Sequence, residues 1–172
     1  IMLEYRAMPF IFDHVHPGSS NANVYAPIAL TLVHSALHGY NALIFAYGQT
    51  ASGKTFTLSG DDDGREPGMI PRAVNDLFQG ICQGSAQREY LIRVSYLEIW
   101  NEIVRDLLEP TNQPHVRDDR RRGANAVLVA PLHEEVVTSP AGVFKLLARG
   151  EANRHMGATD RTERSSSSHT CI

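Results

Sequence analysis

The sequence predicts an α/β chain, a sheet with helices packed on both faces. Segments rich in β-branched and aromatic residues alternate with segments of helical spacing. A short apolar run at 43–47 leads through a glycine-rich octapeptide into a segment that can begin a helix. The 172 residues, 42% of them hydrophobic, suffice for one domain with a sizeable core.

Each element rests on its own residues. Positions 10–13 read as a short strand, and 16–23 as a turn-rich connection. Over 23–38, Val24, Ile28, Leu32 and Ala36 recur every fourth position and mark one face of a helix, with Gly39 where a C-terminal cap belongs. Residues 43–47 form a buried strand. A helix starts at Lys54 and breaks at the Gly/Asp cluster 60–64 and at Pro67-Gly68. Val74, Leu77, Phe78 and Ile81 then resume helical spacing up to Gly84. Residues 90–99 have strand composition; 103–108 form a short element closed by Pro110. After a polar stretch at 111–124, residues 127–132 and 134–137 read as a bent strand pair. The last helix spans 139–149, with Ser139 as N-cap and Pro140 at its first position, burying Val143, Phe144, Leu147 and Ala148. There is no internal repeat.

The octapeptide is Gly48, Gln49, Thr50, Ala51, Ser52, Gly53, Lys54 and Thr55. It fits G-x-x-x-x-G-K-S/T, a phosphate-binding loop between a strand and a helix. Gly48 and Gly53 let successive N–H groups turn toward anionic oxygens with no Cβ in the way. The helix N-terminus adds partial positive charge and free donors. Lys54 can reach the β and γ phosphates, and the Thr55 hydroxyl can ligate Mg²⁺. Lys54 and Lys145 are the only lysines, so Lys54 is not one of many interchangeable surface cations.

Bulk properties exclude other classes. At a net charge of −3 the molecule carries no field for a polyanion, so no nucleic-acid partner is expected. No apolar run reaches about 18 residues and no secretory leader is visible, so no membrane partner is expected either. Cys82 and Cys171 lack metal-ligand spacing and read as free thiols in a reducing compartment. The histidines likewise show no metal-ligand spacing.

The context of the octapeptide narrows the reading. Gly39-Tyr40-Asn41 followed by Phe45-Ala46-Tyr47-Gly48-Gln49-Thr50 closely resembles the kinesin motor domain, where GYN…FAYGQTxSGKT is a signature. Collinear blocks extend the likeness. Phe12-Asp13 with Val15, then Val24-Tyr25, resembles FDxVF…VY, and 67–72 resembles PGxIPR. Residues 94–99, then Asn101-Glu102 and Asp106-Leu107-Leu108, resemble SYxEIYNExxxDLL. Asn153-Arg154, Gly157, Thr159, Ser165-Ser166 and Ser168-His169 resemble the approach to switch I and its N-x-x-S-S-R-S-H core.

The resemblance implies a P-loop NTPase of kinesin type with a mixed central sheet, and covers nearly all of this chain but about half of the family's domain. It implies a partial motor domain over 1–172, without the family's first strand, switch II, main microtubule-binding helix, neck or stalk. It implies ATP and Mg²⁺ as cofactors, microtubules as partner, a cytoplasmic, cytoskeletal location, and a full-length protein that dimerises through a coiled coil. The fragment alone is expected to be inactive. Phe56 stands where kinesins often place an aromatic or histidine against adenine; the other reading is an ordinary core phenylalanine. Ser165 and Ser166 match the switch I serines, which sense Mg²⁺ and γ-phosphate, with Ser166 a Mg²⁺ ligand; the other reading is a solvated serine-rich stretch. Glu98 and Glu102 belong, by the resemblance, to a structural strand–helix segment. Arg120, Arg121 and Arg122 follow Asp118 and Asp119 in the loop that lies toward the microtubule in kinesins. They read either as a cluster attracted to acidic tubulin or as a solvated loop whose charges neutralise one another.

Two departures bear on activity. Thr162 stands where the family has asparagine, and Ser167 where it has the arginine that pairs with a switch II glutamate. A serine cannot supply a bidentate cation. Two functions are therefore carried forward. One is the ATP-binding part of a microtubule motor that couples Mg·ATP hydrolysis to movement. The other is a non-hydrolysing remnant that binds nucleotide or microtubules without motor activity.

Overall fold

A computed structural model describes residues 3–5, 8–61, 63–84, 88–121, 123, 126–156 and 168–172. Two compact units divide the chain, Ile1–Gly80 and Ile81–Ile172.

The first unit begins with strands β1 (Leu3–Tyr5) and β2 (Met8–Phe10), paired antiparallel with Leu3 opposite Phe10. The strand expected at 10–13 is displaced toward the N-terminus. Its partner precedes it across a two-residue connection, so the ladder ends at Phe10 and leaves Ile11 91% exposed.

Helix α1 (Asn21–Leu37) follows where helical spacing placed it. Ser20 is extended but makes no capping bond. The Glu66 carboxylate serves instead, Oε1 accepting the N–H groups of Asn21 (2.7 Å) and Ala22 (3.3 Å). A negative charge at this end also complements the helix dipole. Gly39, at φ +93°, closes the helix: its N–H donates to Ala36 O (2.9 Å) and that of Tyr40 to Ser35 O (3.1 Å). This pair of bonds is the Schellman arrangement, which a residue with a Cβ adopts only under strain.

The buried stripe of α1 is one residue out from the expected one: Asn21, Tyr25, Ala29 and Val33 face inward, while Ile28 and Ala36 are exposed. Apolar spacing alone cannot see that two polar residues own the inner face. Asn21 and Tyr25 are buried because each finds a partner there, and the Tyr25 hydroxyl donates to Asp76 Oδ2 at 2.6 Å. Burial, followed by the adjoining carboxylate, pushes the Tyr25 phenol pKa up.

Helix α2 (Lys54–Ser59) is a single turn and a half, and α3 (Met69–Gln83) resumes after the expected break. The link closes tightly on itself, with a bridge between Gly60 and Pro67. A Cβ on Gly60 would come within 2.6 Å of Glu66 O, so the approach needs glycine there. Tyr25, Ala29 and Met69 form the core, with Val24, Leu30, Leu58 and Ala73 packed against it.

Residues 43–47 do not form the expected buried strand. They pair with no described strand, and Leu43, Phe45 and Tyr47 are 73%, 75% and 95% exposed. An apolar run without alternation is the pattern of a strand flanked on both sides within a covered sheet. Among the described residues no strand lies against it.

In the second unit, β3 (Ile92–Val94) pairs with β8 (Glu135–Val137), and β6 (His115–Asp118) with β7 (Val127–Ala130). Strand β4 (Leu97–Trp100) lies between β5 (Ile103–Asp106) and β9 (Ser168–Cys171), and every one of these pairings is antiparallel. Three expectations are corrected here. The strand expected at 90–99 is two strands, interrupted where Tyr96 turns inward and its carbonyl accepts the Leu107 N–H at 2.8 Å. The strand–helix segment that the resemblance implies around Glu98 and Glu102 is a strand, a turn and a second strand, because Asn101 and Glu102 take φ of +49° and +63°. This is the two-residue turn that folds a strand back on itself. The expected strand pair 127–132 and 134–137 does not exist: β7 pairs with β6, inside the stretch read as polar loop, and β8 with β3.

Asp106, at 1% exposure, organises this unit. Oδ1 accepts the N–H groups of Leu108 and Glu109 at 3.0 Å each, and Oδ2 accepts from Asn112 Nδ2 (3.0 Å) and His133 N (2.7 Å). Trp100 carries the Arg105 guanidinium 5.4 Å from its ring centre and stands opposite Ser168 in the β4–β9 ladder.

Helix α4 (Pro140–Met156) starts as expected, Ser139 Oγ accepting the Gly142 N–H at 3.3 Å, but runs a further seven residues beyond 149. Its inner face is Val143, Leu146 and Gly150, whereas Ala148 is exposed and Phe144 and Leu147 are half-buried. Gly150 sets the approach, since a Cβ there would strike the Tyr96 ring. Gly150→Ala is therefore expected to destabilise by about 1–2 kcal/mol, overpacking outweighing a helix-propensity gain of about 1 kcal/mol. A fall in the denaturation midpoint checks this; a rise would show that Tyr96 yields freely. Cys82 and Cys171 are exposed free thiols. Among the described residues, no helix is long and apolar enough to cross a membrane.

Candidate functional site

The octapeptide forms a loop that closes onto its own helix. Ser52 N–H donates to Gln49 O (3.2 Å), turning the chain, and Ala51 takes the left-handed φ of +61°. Gly53, at φ +89°, is the N-cap of α2, and the Thr57 N–H bonds back to its carbonyl at 2.8 Å. The N–H groups at the start of α2 have no acceptor within the helix. A Cβ at Gly48 would collide with Ser52 Oγ. Gly53 is thus required by its backbone conformation, while a side chain at Gly48 would have to displace the Ser52 hydroxyl. The Lys54 ammonium lies across the loop, donating to Gly48 O and Gln49 O at 2.8 Å each. Gln49, Thr50, Ala51, Ser52 and Thr55 are exposed.

The donor set fits a polyphosphate with a divalent cation: glycine-permitted backbone amides, one ammonium, and an exposed hydroxyl at Thr55, a hard oxygen ligand of the kind Mg²⁺ takes. Phe56 follows on the first turn of α2, half-buried, its carbonyl accepting from Asn21 Nδ2 and Gly60 N at 2.9 Å each.

The sequence carries no signal for the contact of Asn21 with Glu66. They meet across 45 positions, and no periodicity or motif joins them. In the second unit, the motif around Asn153-Arg154 does not show what Arg154 binds. This side chain reaches Glu98 Oε1 with Nε (3.3 Å), Glu151 with Nη1 (3.5 Å) and Ser168 Oγ with Nη2 (2.8 Å). Glu98 is fully buried on β4, which makes it part of a structural ion pair. The Tyr96 hydroxyl donates to Glu151, and burial pushes its pKa up.

The candidate switch residues Thr162, Ser165, Ser166 and Ser167, with Arg164, lie outside the described residues. Ser168 and His169, which follow them, are on β9 opposite Trp100 and Ile99. Arg120 and Arg121 are exposed between β6 and β7, the Arg121 N–H donating to Asp119 Oδ1 at 3.2 Å; Arg122 lies outside the described residues.

Comparison with known proteins agrees with the motif order. The kinesin motor domain family model matches residues 4–172. Kinesin-like protein KIN-7L of Oryza sativa subsp. japonica is 46% identical over 177 aligned residues, covering 99% of this chain and 27% of that protein. Centromere-associated protein E of Homo sapiens is 47% identical, over 94% of this chain and 6% of that protein. The chain thus spans about a quarter or less of these relatives. A solved structure of a fast kinesin superposes with a TM-score of 0.85 at 38% identity, covering 95% of this chain and 46% of that one. Its α/β fold class is therefore the one shown for this chain. The chain belongs to the kinesin motor domain family.

Proposed function

We propose that this chain is the ATP-binding part of a kinesin-like microtubule motor that couples Mg·ATP hydrolysis to microtubule-based movement. The observation that supports it most is the Gly48–Thr55 loop, shaped by Gly48 and Gly53 and spanned by the Lys54 ammonium. The backbone amides from Gln49 to Thr55 and Lys54 hold and orient the β and γ phosphates. Thr55 holds Mg²⁺, whose charge offsets that developing on the phosphoryl oxygens when it is bound. Phe56 offers an apolar surface to adenine. Ser165 and Ser166 contribute hydroxyls from switch I, with Ser166 the second Mg²⁺ ligand. The protein's share of the chemistry is positioning and electrostatics, with no covalent intermediate. A cytoskeletal location follows from the same reading.

The second reading, a motor-like protein that binds nucleotide without hydrolysing it, draws on Thr162 and Ser167. The segment retains its serines and His169 but lacks the arginine able to pair with a carboxylate.

Microtubule contact is assigned to Arg120, Arg121 and Arg122. In the complete protein, replacing all three by alanine is expected to weaken microtubule co-sedimentation about three- to tenfold at low salt, with the difference shrinking as salt rises. Equal affinity at low salt would return the cluster to a solvated loop. Microtubule-stimulated release of phosphate tests the motor reading as a whole, and its absence with ATP binding intact selects the second.

A further inference from the structure

Helix α2 has only six residues and cannot hold its own direction, since isolated helices shorter than about 12 residues are marginal in water. Its orientation must come from what grips it. One grip is apolar: Leu58 packs against the Tyr25, Ala29 and Met69 core. The other is polar and more selective. The Phe56 carbonyl, one residue past Thr55, has its helical bond to the Gly60 N–H and accepts a second from the Asn21 carboxamide.

Asn21 is well placed to act as an anchor. It is 3% exposed, and its backbone N–H is held by Glu66 at 2.7 Å. Glu66 is itself fixed by two contacts. Its own N–H donates to Asp61 Oδ1 at 2.9 Å, and Arg72 Nη2 lies 3.7 Å from its Oε1. Arg72 Nε in turn donates to Pro67 O at 2.9 Å. A chain of hydrogen bonds, completed by the Arg72–Glu66 ion pair, therefore runs from α3 and the 60–68 link, through the start of α1, to the helix that carries Lys54 and Thr55.

We propose that Asn21, seated by Glu66, is a positioning residue for the nucleotide: it fixes α2, and with it the Lys54 ammonium and Thr55 hydroxyl, in the geometry that receives phosphate. This rests on the ATP-binding reading above. Asn21 need not touch nucleotide itself. A donor to Phe56 O keeps the loop-bearing end of α2 in register with α1, so losing it lets the helix shift before phosphate binds.

The test is calorimetric titration of the complete protein with Mg·ATP, alongside steady-state hydrolysis and thermal unfolding. Asn21→Asp is isosteric but sets a carboxylate against the Phe56 carbonyl, whereas Asn21→Ala only deletes the donor. We expect ATP affinity to fall about tenfold in the first and about threefold in the second, with the loss in KM rather than in kcat. A packing role would reverse that order, alanine being the worse of the two, and would overturn the proposal. So would unchanged ATP affinity in Asn21→Asp. Should Asn21→Asp fail to fold, Glu66→Gln keeps the shape and removes the charge that seats α1. It must weaken ATP binding by more than twofold with its melting cooperative, and full affinity there sinks the idea. Wild-type protein binding ATP no better than Lys54→Ala would instead bring down the ATP-binding reading, a distinct result.

Discussion

Lys54→Ala is expected to abolish measurable Mg·ATP binding by the complete protein while leaving its fold intact. The side chain has two jobs in the loop. Its ammonium braces the mouth by bonding the Gly48 and Gln49 carbonyls, and it is the loop's only full positive charge. Losing a charge-assisted contact to a phosphate costs about 2–5 kcal/mol, or about thirtyfold to several thousandfold in affinity. The fold should survive because the bonds that shape α2, from Thr57 to Gly53 and from Asn21 to Phe56, do not involve the lysine side chain. Lys54→Arg sharpens the test, since a planar fork does not replace a compact ammonium at a point-charge site. Unchanged heats of titration in Lys54→Ala would refute the assignment of this loop.

The second large effect is expected from Ser167→Arg. In the kinesin family the residue at this place pairs with a switch II glutamate and closes the site over the γ-phosphate. The lost bidentate contact corresponds to a few kcal/mol, on the order of a hundredfold in rate. On the second reading the complete protein therefore binds Mg·ATP yet shows little microtubule-stimulated hydrolysis, and Ser167→Arg restores it. Binding is expected to suffer less, since on the proposed reading the phosphate loop would make most of the contacts before closure. The neighbouring Ser168 is held by Arg154 at 2.8 Å and by the β4–β9 ladder, so a side chain introduced at 167 adjoins a fixed point. Brisk stimulated turnover without the substitution would show that another residue closes the site, with Arg164 the first to examine.

What was legible in the sequence was local. The phosphate loop, the Gly39 cap, the Ser139-Pro140 start of α4 and the break between α2 and α3 each depend on residues a few positions apart. Their backbone conformations follow from glycine, proline or a hydroxyl in the right place. What was not legible depended on distant partners. The inner face of α1 lies one residue from the stripe that apolar spacing marks, because Asn21 and Tyr25 are buried by bonds to Phe56, Glu66 and Asp76, 35 to 51 positions away. Adjacency in sequence suggests pairing β7 with β8, whereas each finds an antiparallel partner elsewhere. The run at 43–47 reads as a buried strand from its apolarity, but burial needs neighbours that no local pattern supplies. The site divides the same way: the residues that would touch phosphate were visible as a motif, and the residues that hold them were not.

The place of Trp100 has a practical consequence. It is the only tryptophan in this sequence, so the tryptophan emission, excited to the red of the tyrosines, comes from one indole. That indole stacks with Arg105 and lies across the ladder from Ser168, at the point where the chain leaves residues 157–167. The ring is half-buried, and its emission wavelength is expected to respond when the start of β9 leaves β4. A red shift on perturbing residues 157–167 would give a label-free optical readout of that junction, and an unchanged spectrum would show that the ring does not sense it.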